Sequence, residues 1–253
     1  MTIETVFSII DEYAPFQLSS DFQAMINGYD NSGIIAGVKG DINGVLFTLD
    51  LTFESVQNAI ENNCNLIVTH HPAIYSPVKA VDGALLKAIQ SNIGVISAHL
   101  NLDCANEGID YYLAGGLGAK RQDIIYDLGN GCGYGRIFEV DETASSLKQK
   151  YVNTFETQNV MLFGDKTKKI KSVASFCGSG LDIAEIEHAK DVQLYVSSDI
   201  KHHVILYALE MGKCVMNVSH YSSEVYGYKR FFNQIKGKLN GLNCVFYENG
   251  KML

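Results

Sequence analysis

Six residues of the chain have the types and spacing that chemistry needs: His70, His71, His99, Asp103, His220 and Glu224. His70 and His71 are adjacent, just after an apolar run and just before Pro72. His99 and Asp103 stand four apart, and so do His220 and Glu224. Imidazoles with carboxylates make a mixed nitrogen–oxygen donor set. Such a set suits zinc, manganese, iron or nickel better than magnesium or calcium, which prefer oxygen alone. It is too rich for one tetrahedral site that must keep a position open. It is adequate for two ions roughly 3.5–4 Å apart, bridged by a carboxylate and water. Each residue also has a plainer role when taken singly. One of the adjacent histidines can cap a strand while the other faces solvent. His99 can be a buried histidine satisfied by backbone, Asp103 a turn residue, and Glu224 an acid at a helix start. All of these plain roles coinciding at strand tips is the weaker explanation.

The elements that must position these residues follow from the apolar pattern. Leu66 to Thr69 reads as a buried strand of a parallel sheet, apolar on both faces. Neighbouring strand residues point to opposite faces, so two adjacent histidines can share a crevice only where the strand has ended. Pro72, which lacks an N–H, supports that ending. In open α/β sheets ligands collect beyond the carboxyl ends of the strands. Upstream, residues 1–20 read as a helix with Val6, Ile9, Ile10 and Tyr13 on one face, stopped near Pro15, and a polar stretch runs on to Gly33. Residues 44–50 form a strand. Thr52 is an N-cap with Glu54 in the first turn, and Phe53, Val56, Ala59 and Ile60 form the apolar stripe of the helix it starts. Leu85, Leu86 and Ile89 mark a further helix, residues 94–103 a third strand, and residues 105–113 an amphipathic stretch.

The second half repeats this plan. Residues 171–180 are a strand and glycine turn, 182–189 helical, 192–199 a strand, 203–211 helical, 214–220 a strand and 222–239 a helix. Asp50 to His70 is 20 residues, and Gly178 to Ser198 is also 20. Asp50 to His99 is 49 against 42 from Gly178 to His220, the longer interval containing the loop of Pro72 to Pro77. The pattern predicts an α/β protein of two β-α-β-α-β repeats, residues 1–128 and 129–253, with mixed, mainly parallel sheets.

Composition narrows the function. The 253 residues include 28 Asp plus Glu against 20 Lys plus Arg, a net charge of -8. That balance argues against general nucleic-acid or anionic-membrane binding, yet allows a small anionic substrate held by metals. No apolar run approaches a membrane span, and the acidic N-terminal stretch is unlike a secretory signal, so a cytoplasmic location is expected. Six widely spaced cysteines without a C-x-x-C are expected to be reduced and to form neither disulfides nor a zinc ribbon. The glycine run Gly129 to Gly135 lacks the strand-to-helix context of a dinucleotide loop and reads as a connection or hairpin. The Gly178 to Gly180 turn can serve a phosphate at a helix N-terminus or be simply a tight turn. His202 and His203 read as pocket-lining or helix-surface residues, and His188 as a surface residue.

These segments resemble the Nif-three-like (YbgI-like) family of dinuclear-metal proteins, often labelled GTP cyclohydrolase type 2 homologues. YDNSGIIAG resembles the family's W-D-N-x-G-L segment, with Tyr29 in place of Trp. LIVTHHP is its most specific motif, SAHLNLD resembles its H-T-N-L-D stretch, and HYSSE matches its H-x-x-[ST]-E motif. Departures are Phe138 where glycine is common in the G-x-G-R-x-G segment, and Ser198 for the glycine of the T-G-D/E turn. The resemblance implies two intertwined repeats without an inserted domain, and two divalent ions per chain (Zn, Mn, Fe or Ni). It implies His71 and Asp103 on one ion, His70 and His220 on the other, and Glu224 bridging, with His99 a weak ligand or proton carrier. It further implies a hexameric ring. The expected activity is metal-dependent hydrolysis of a nucleotide or other phosphorylated small molecule; the alternative is a non-enzymatic metal-binding or regulatory scaffold.

Overall fold

In a computed structural model, which describes residues 1–252, the chain begins with α1 (Ile3–Tyr13), α2 (Gln17–Ile26), β1 (Gly33–Ala36), β2 (Gly44–Thr48) and α3 (Phe53–Glu61). β3 (Leu66–Thr69), α4 (Gly83–Gln90), β4 (Gly94–Ser97) and α5 (Leu100–Cys104) follow. Next come α6 (Ile109–Gly116), β5 (Asp123–Gly129), β6 (Cys132–Thr143), α7 (Ala144–Thr154), β7 (Val160–Phe163) and β8 (Lys169–Ser175). The chain closes with α8 (Ile183–His188), β9 (Leu194–Ser198), α9 (His202–Glu210), β10 (Cys214–Val218), α10 (His220–Lys236) and β11 (Asn243–Phe246). The residues cluster into two compact units: Met1–Ala105 with Tyr228–Met252, and Asn106–Gly227.

The first unit is built on a five-stranded sheet of order β1-β4-β3-β2-β11, antiparallel only where β1 meets β4. Every residue of β2, β3 and β4 is buried, as their apolar runs, each closed by a threonine or serine, require when both faces are covered. Leu46, Ile67 and Val95 from the three strands pack with Val56 and Ala59 of α3 and Leu85 and Ala88 of α4. Thr52 caps α3 as its sequence suggests: its side chain accepts from Ser55 N, and Ser55 Oγ accepts from Thr52 N. Two local expectations change. The single helix expected over residues 1–20 is two: after the break at Pro15 a second helix, α2, forms because Leu18 and Phe22, four apart, bury on one face. The strand after Gly94 stops at Ser97, since Leu102 N and Asp103 N donate to His99 O and the chain turns into α5.

The second unit is built on a six-stranded sheet of order β5-β6-β8-β9-β10-β7. β8, β9 and β10 run parallel, whereas β5, β6 and β7 are added antiparallel. Mixed α/β architecture without an inserted domain is therefore as expected, with the parallel portion of this sheet confined to its centre. The glycine run is the β5–β6 hairpin, closed by Asn130 and Gly131, both at positive φ, as a two-residue hairpin turn demands. No helix among the described residues is long and apolar enough to cross a membrane.

Candidate metal centre

β3 delivers the histidine pair. His70 N donates to Thr48 O and His71 N to Leu49 O, so the backbone stays tied to β2 for two residues past the strand. Thr69 Oγ1 then donates to His71 O, and Ser97 Oγ accepts from Ala73 N. These bonds peel the chain away from the pleat and let both imidazoles lie together. The His70 ring centroid is 5.0 Å from that of His71 and 5.2 Å from that of His99. Tyr228 of α10 donates its hydroxyl to Val68 O at 2.8 Å, with its ring 6.0 Å from His70. Burial pushes the Tyr228 phenol well above its ordinary pKa, so it remains a donor.

Each ring is fixed through Nδ1. His70 Nδ1 donates to Ala98 O at 2.8 Å, His71 Nδ1 meets Asp50 Oδ1 at 2.7 Å, and His99 Nδ1 meets Asp30 Oδ1 at 2.7 Å. Asp30 is itself gripped by Ser19 and Ser32, and Ser32 Oγ also accepts from His99 N. Burial alone would raise the Asp30 carboxyl, but bonding to His99 and the serines outweighs it and holds the pKa well below the ordinary range. An acceptor at Nδ1 places the proton there and turns Nε2 outward as a lone-pair donor, the second-sphere pattern of metal-binding histidines.

The first unit thus assembles His70, His99 and Asp103, whose ligand atoms all lie within 4.8 Å of one another. His70 Nε2 is 3.5 Å from Asp103 Oδ1. Two ligands ~2.1 Å from a shared tetrahedral ion would stand about 3.4 Å apart, so these residues fit a divalent ion. Asp103, which the resemblance assigns to one ion together with His71, stands in this group beside His70 and His99.

The second unit presents a smaller set of the same kind. His220 opens α10, and its Nε2 lies 3.0 Å from Glu224 Oε1 one turn on. His220 Nδ1 meets Asp199 Oδ2 at 2.6 Å, from the turn after β9. Gly178 is at φ +57°, and a Cβ there would stand 2.6 Å from Glu224 Oε1 and 3.3 Å from His220 Nε2. Glycine is needed because the turn passes directly against the two donors. The Gly178 to Gly180 turn therefore abuts this donor pair; Gly178 N donates to Ser223 Oγ instead of standing ready for a phosphate. His188, His202 and His203 are exposed and stand outside both donor sets.

Sequence reasoning missed the supporting carboxylates. Asp30, Asp50 and Asp199 orient His99, His71 and His220, although each ends a strand or lies in a quoted motif. The signal available was their position: Asp50 and Asp199 both follow a strand within two residues.

Comparisons with known proteins identify the chain's family and fold. The family model described as Duf34/NIF3 (NGG1p interacting factor 3) matches residues 1–251. A protein of Clostridium acetobutylicum named GTP cyclohydrolase 1 type 2 homolog is 31% identical over 236 residues, covering 88% of this chain and 85% of that protein. The NGG1-interacting factor 3 of Saccharomyces cerevisiae is 30% identical over 230 residues, 78% of this chain and 79% of its own. The crystal structure of Staphylococcus aureus hypothetical protein SA1388 superposes with a TM-score of 0.85 at 25% identity, covering 98% of this chain and 97% of that one.

Proposed function

The chain belongs to the Duf34/NIF3 family, and from that premise we propose that it holds two divalent metal ions and hydrolyses a nucleotide or another small phosphorylated molecule. The observation that carries the reading is that four imidazoles are each anchored at Nδ1 by an oxygen, which turns their Nε2 atoms outward as donors. The relatives' printed name, a GTP cyclohydrolase homologue, supports a nucleotide as the substrate class. His70, His71, Asp103, His220 and Glu224 are the proposed ligands, with His99 beside them, and Glu224 is the proposed bridge. What supports that role for Glu224 is its place in the H-x-x-[ST]-E segment, with Oε1 3.0 Å from His220 Nε2 one turn before it. When bound, the ions would lower the pKa of a coordinated water and supply hydroxide near neutral pH.

The chain's own residues would do the rest. Asp30 holds the His99 proton on Nδ1, so His99 Nε2 is free to accept one as a general base. Asp50 and Asp199 keep His71 and His220 in the same tautomer. The excess of negative charge over the whole chain fits a substrate recruited by metal ions rather than by a basic surface. A cytoplasmic protein assembled as a hexameric ring belongs to the same proposal.

The test begins with metal analysis of protein purified without an affinity tag, and two ions per chain are expected. Nucleotides and phosphoesters are then assayed with Mn, Zn and Fe. Turnover above the metal-stripped control supports hydrolysis. Two ions without turnover, exchanging freely, would replace it with a metal-handling scaffold, a reading favoured by the exposed Asp199 behind His220. Light scattering reads the oligomer, and a monomer at micromolar concentration would remove the ring.

A further inference from the structure

Within the second unit a cavity of about 200 Å³ lies between the turn after α6 and the β5–β6 hairpin. Its lining includes Lys120, Arg121 and Arg136 and no aspartate or glutamate. The sequence contains three arginines, Arg121, Arg136 and Arg230, so two of them meet at one small cavity of a chain whose net charge is -8.

Arg136 is the unusual member. It sits on β6, is 2% exposed, and neither its Nε nor its Nη2 makes a hydrogen bond among the described residues. Asp110 Oδ2 stands 4.0 Å from Nε, beyond hydrogen-bond reach, and Asp110 Oδ1 already accepts from Cys177 N. A guanidinium cannot shed its proton to escape burial, and a buried charge is costly unless hydrogen-bonded acceptors surround it. Asp110 supplies charge balance but not those acceptors. Lys120 and Arg121 are exposed at the same cavity, where they can draw an anion in. The cavity is smaller than the ~300–1,000 Å³ usual for drug-sized ligands, and its size suits a single oxyanion.

We propose that this cavity is an oxyanion site, separate from the candidate metal centre, that takes inorganic phosphate or the phosphoryl head of a larger ligand. The planar fork of Arg136 offers paired donors to adjacent phosphate oxygens, and Lys120 and Arg121 close the charge from outside.

Calorimetric titration of the full chain, as purified, with inorganic phosphate at constant ionic strength tests this. Saturable one-to-one binding is expected. The double variant Lys120→Ala, Arg121→Ala changes only exposed side chains and should fold; it should weaken binding by about tenfold with metal content unchanged. Arg136→Lys keeps the charge and loses the fork, and should weaken binding further. Glycerol phosphate identifies the source: tighter binding than phosphate points to a larger phosphorylated ligand, equal binding to the free ion, and either outcome supports the site. Absence of saturable binding, or parental affinity in the folded double variant, would overturn the proposal and leave Arg136 as an internal partner of Asp110.

Discussion

In the first unit His99 leans on Asp30, whose side chain is 1% exposed and clasped by two serine hydroxyls; in the second, His220 leans on Asp199, which is 64% exposed. The chemistry is the same, a carboxylate fixing Nδ1 so that Nε2 faces outward. The surroundings are not. His70 and Asp103 are almost wholly buried, whereas a third of the His220 side chain meets solvent. Electrostatic interactions strengthen as water is excluded, and a ligand locked by packing loses less entropy on binding. The first set is therefore the preorganised one, and the second the adjustable one. Glu224 is the exception: it is 2% exposed although its partner is not.

Removing one carboxylate from each set has the largest expected effect. On the proposed assignment, Glu224→Ala lowers metal content at both positions, because a carboxylate can serve two cations and an imidazole only one. Asp103→Ala should mainly empty one position. Metal-to-protein ratios with folding checked by circular dichroism decide it, and a folded Glu224→Ala protein retaining two ions per chain would end the bridged reading. A smaller effect separates the supporting carboxylates. Asp30→Asn should cost ~10–100-fold in metal affinity, the range for orienting partners of ligands. Asp199→Asn, whose carboxylate is exposed to water, should fall at or below the low end of that range. Equal losses in competition with a chelator would mean that the buried and the exposed carboxylate support their histidines alike.

Gly178→Ala tests the second donor pair from the side of the backbone. It puts a Cβ at φ +57° against Glu224 Oε1, so about 1–3 kcal/mol of stability should be lost, with metal affinity falling alongside. A denaturant midpoint and a metal titration on the same variant read both. The smallest effect is the control: Thr52→Ala removes the α3 cap, remote in role from either donor set, and should cost ~1 kcal/mol with metal binding unchanged.

Much of this was legible in residue types. Strand β3, the break at Pro72, the Thr52 cap and the β5–β6 hairpin follow from local rules that act within a few residues. The six candidate donors were legible because imidazole and carboxylate at strand ends are chemically conspicuous. Asp30, Asp50 and Asp199 were not, since an aspartate that orients a histidine 69, 21 or 21 residues away looks like any turn aspartate until the chain is folded. The helix α2 was hidden because its apolar stripe is narrow and its flanks are polar.

By itself, the sequence determined the α/β class, the order of most elements and the donor types, because periodicity and side-chain chemistry are properties of short segments. Tertiary structure alone decided that β11, last in the chain, lies beside β2 in the first unit's sheet, and that Asp103 Oδ1 stands 3.5 Å from His70 Nε2 within that unit. It alone decided that Arg136 is buried at a cavity with Lys120 and Arg121 beside it. Strand partners distant in sequence are chosen by hydrogen bonds and buried faces that form only on closure, and a charge acquires its cost, and its use, only once water has been removed from around it.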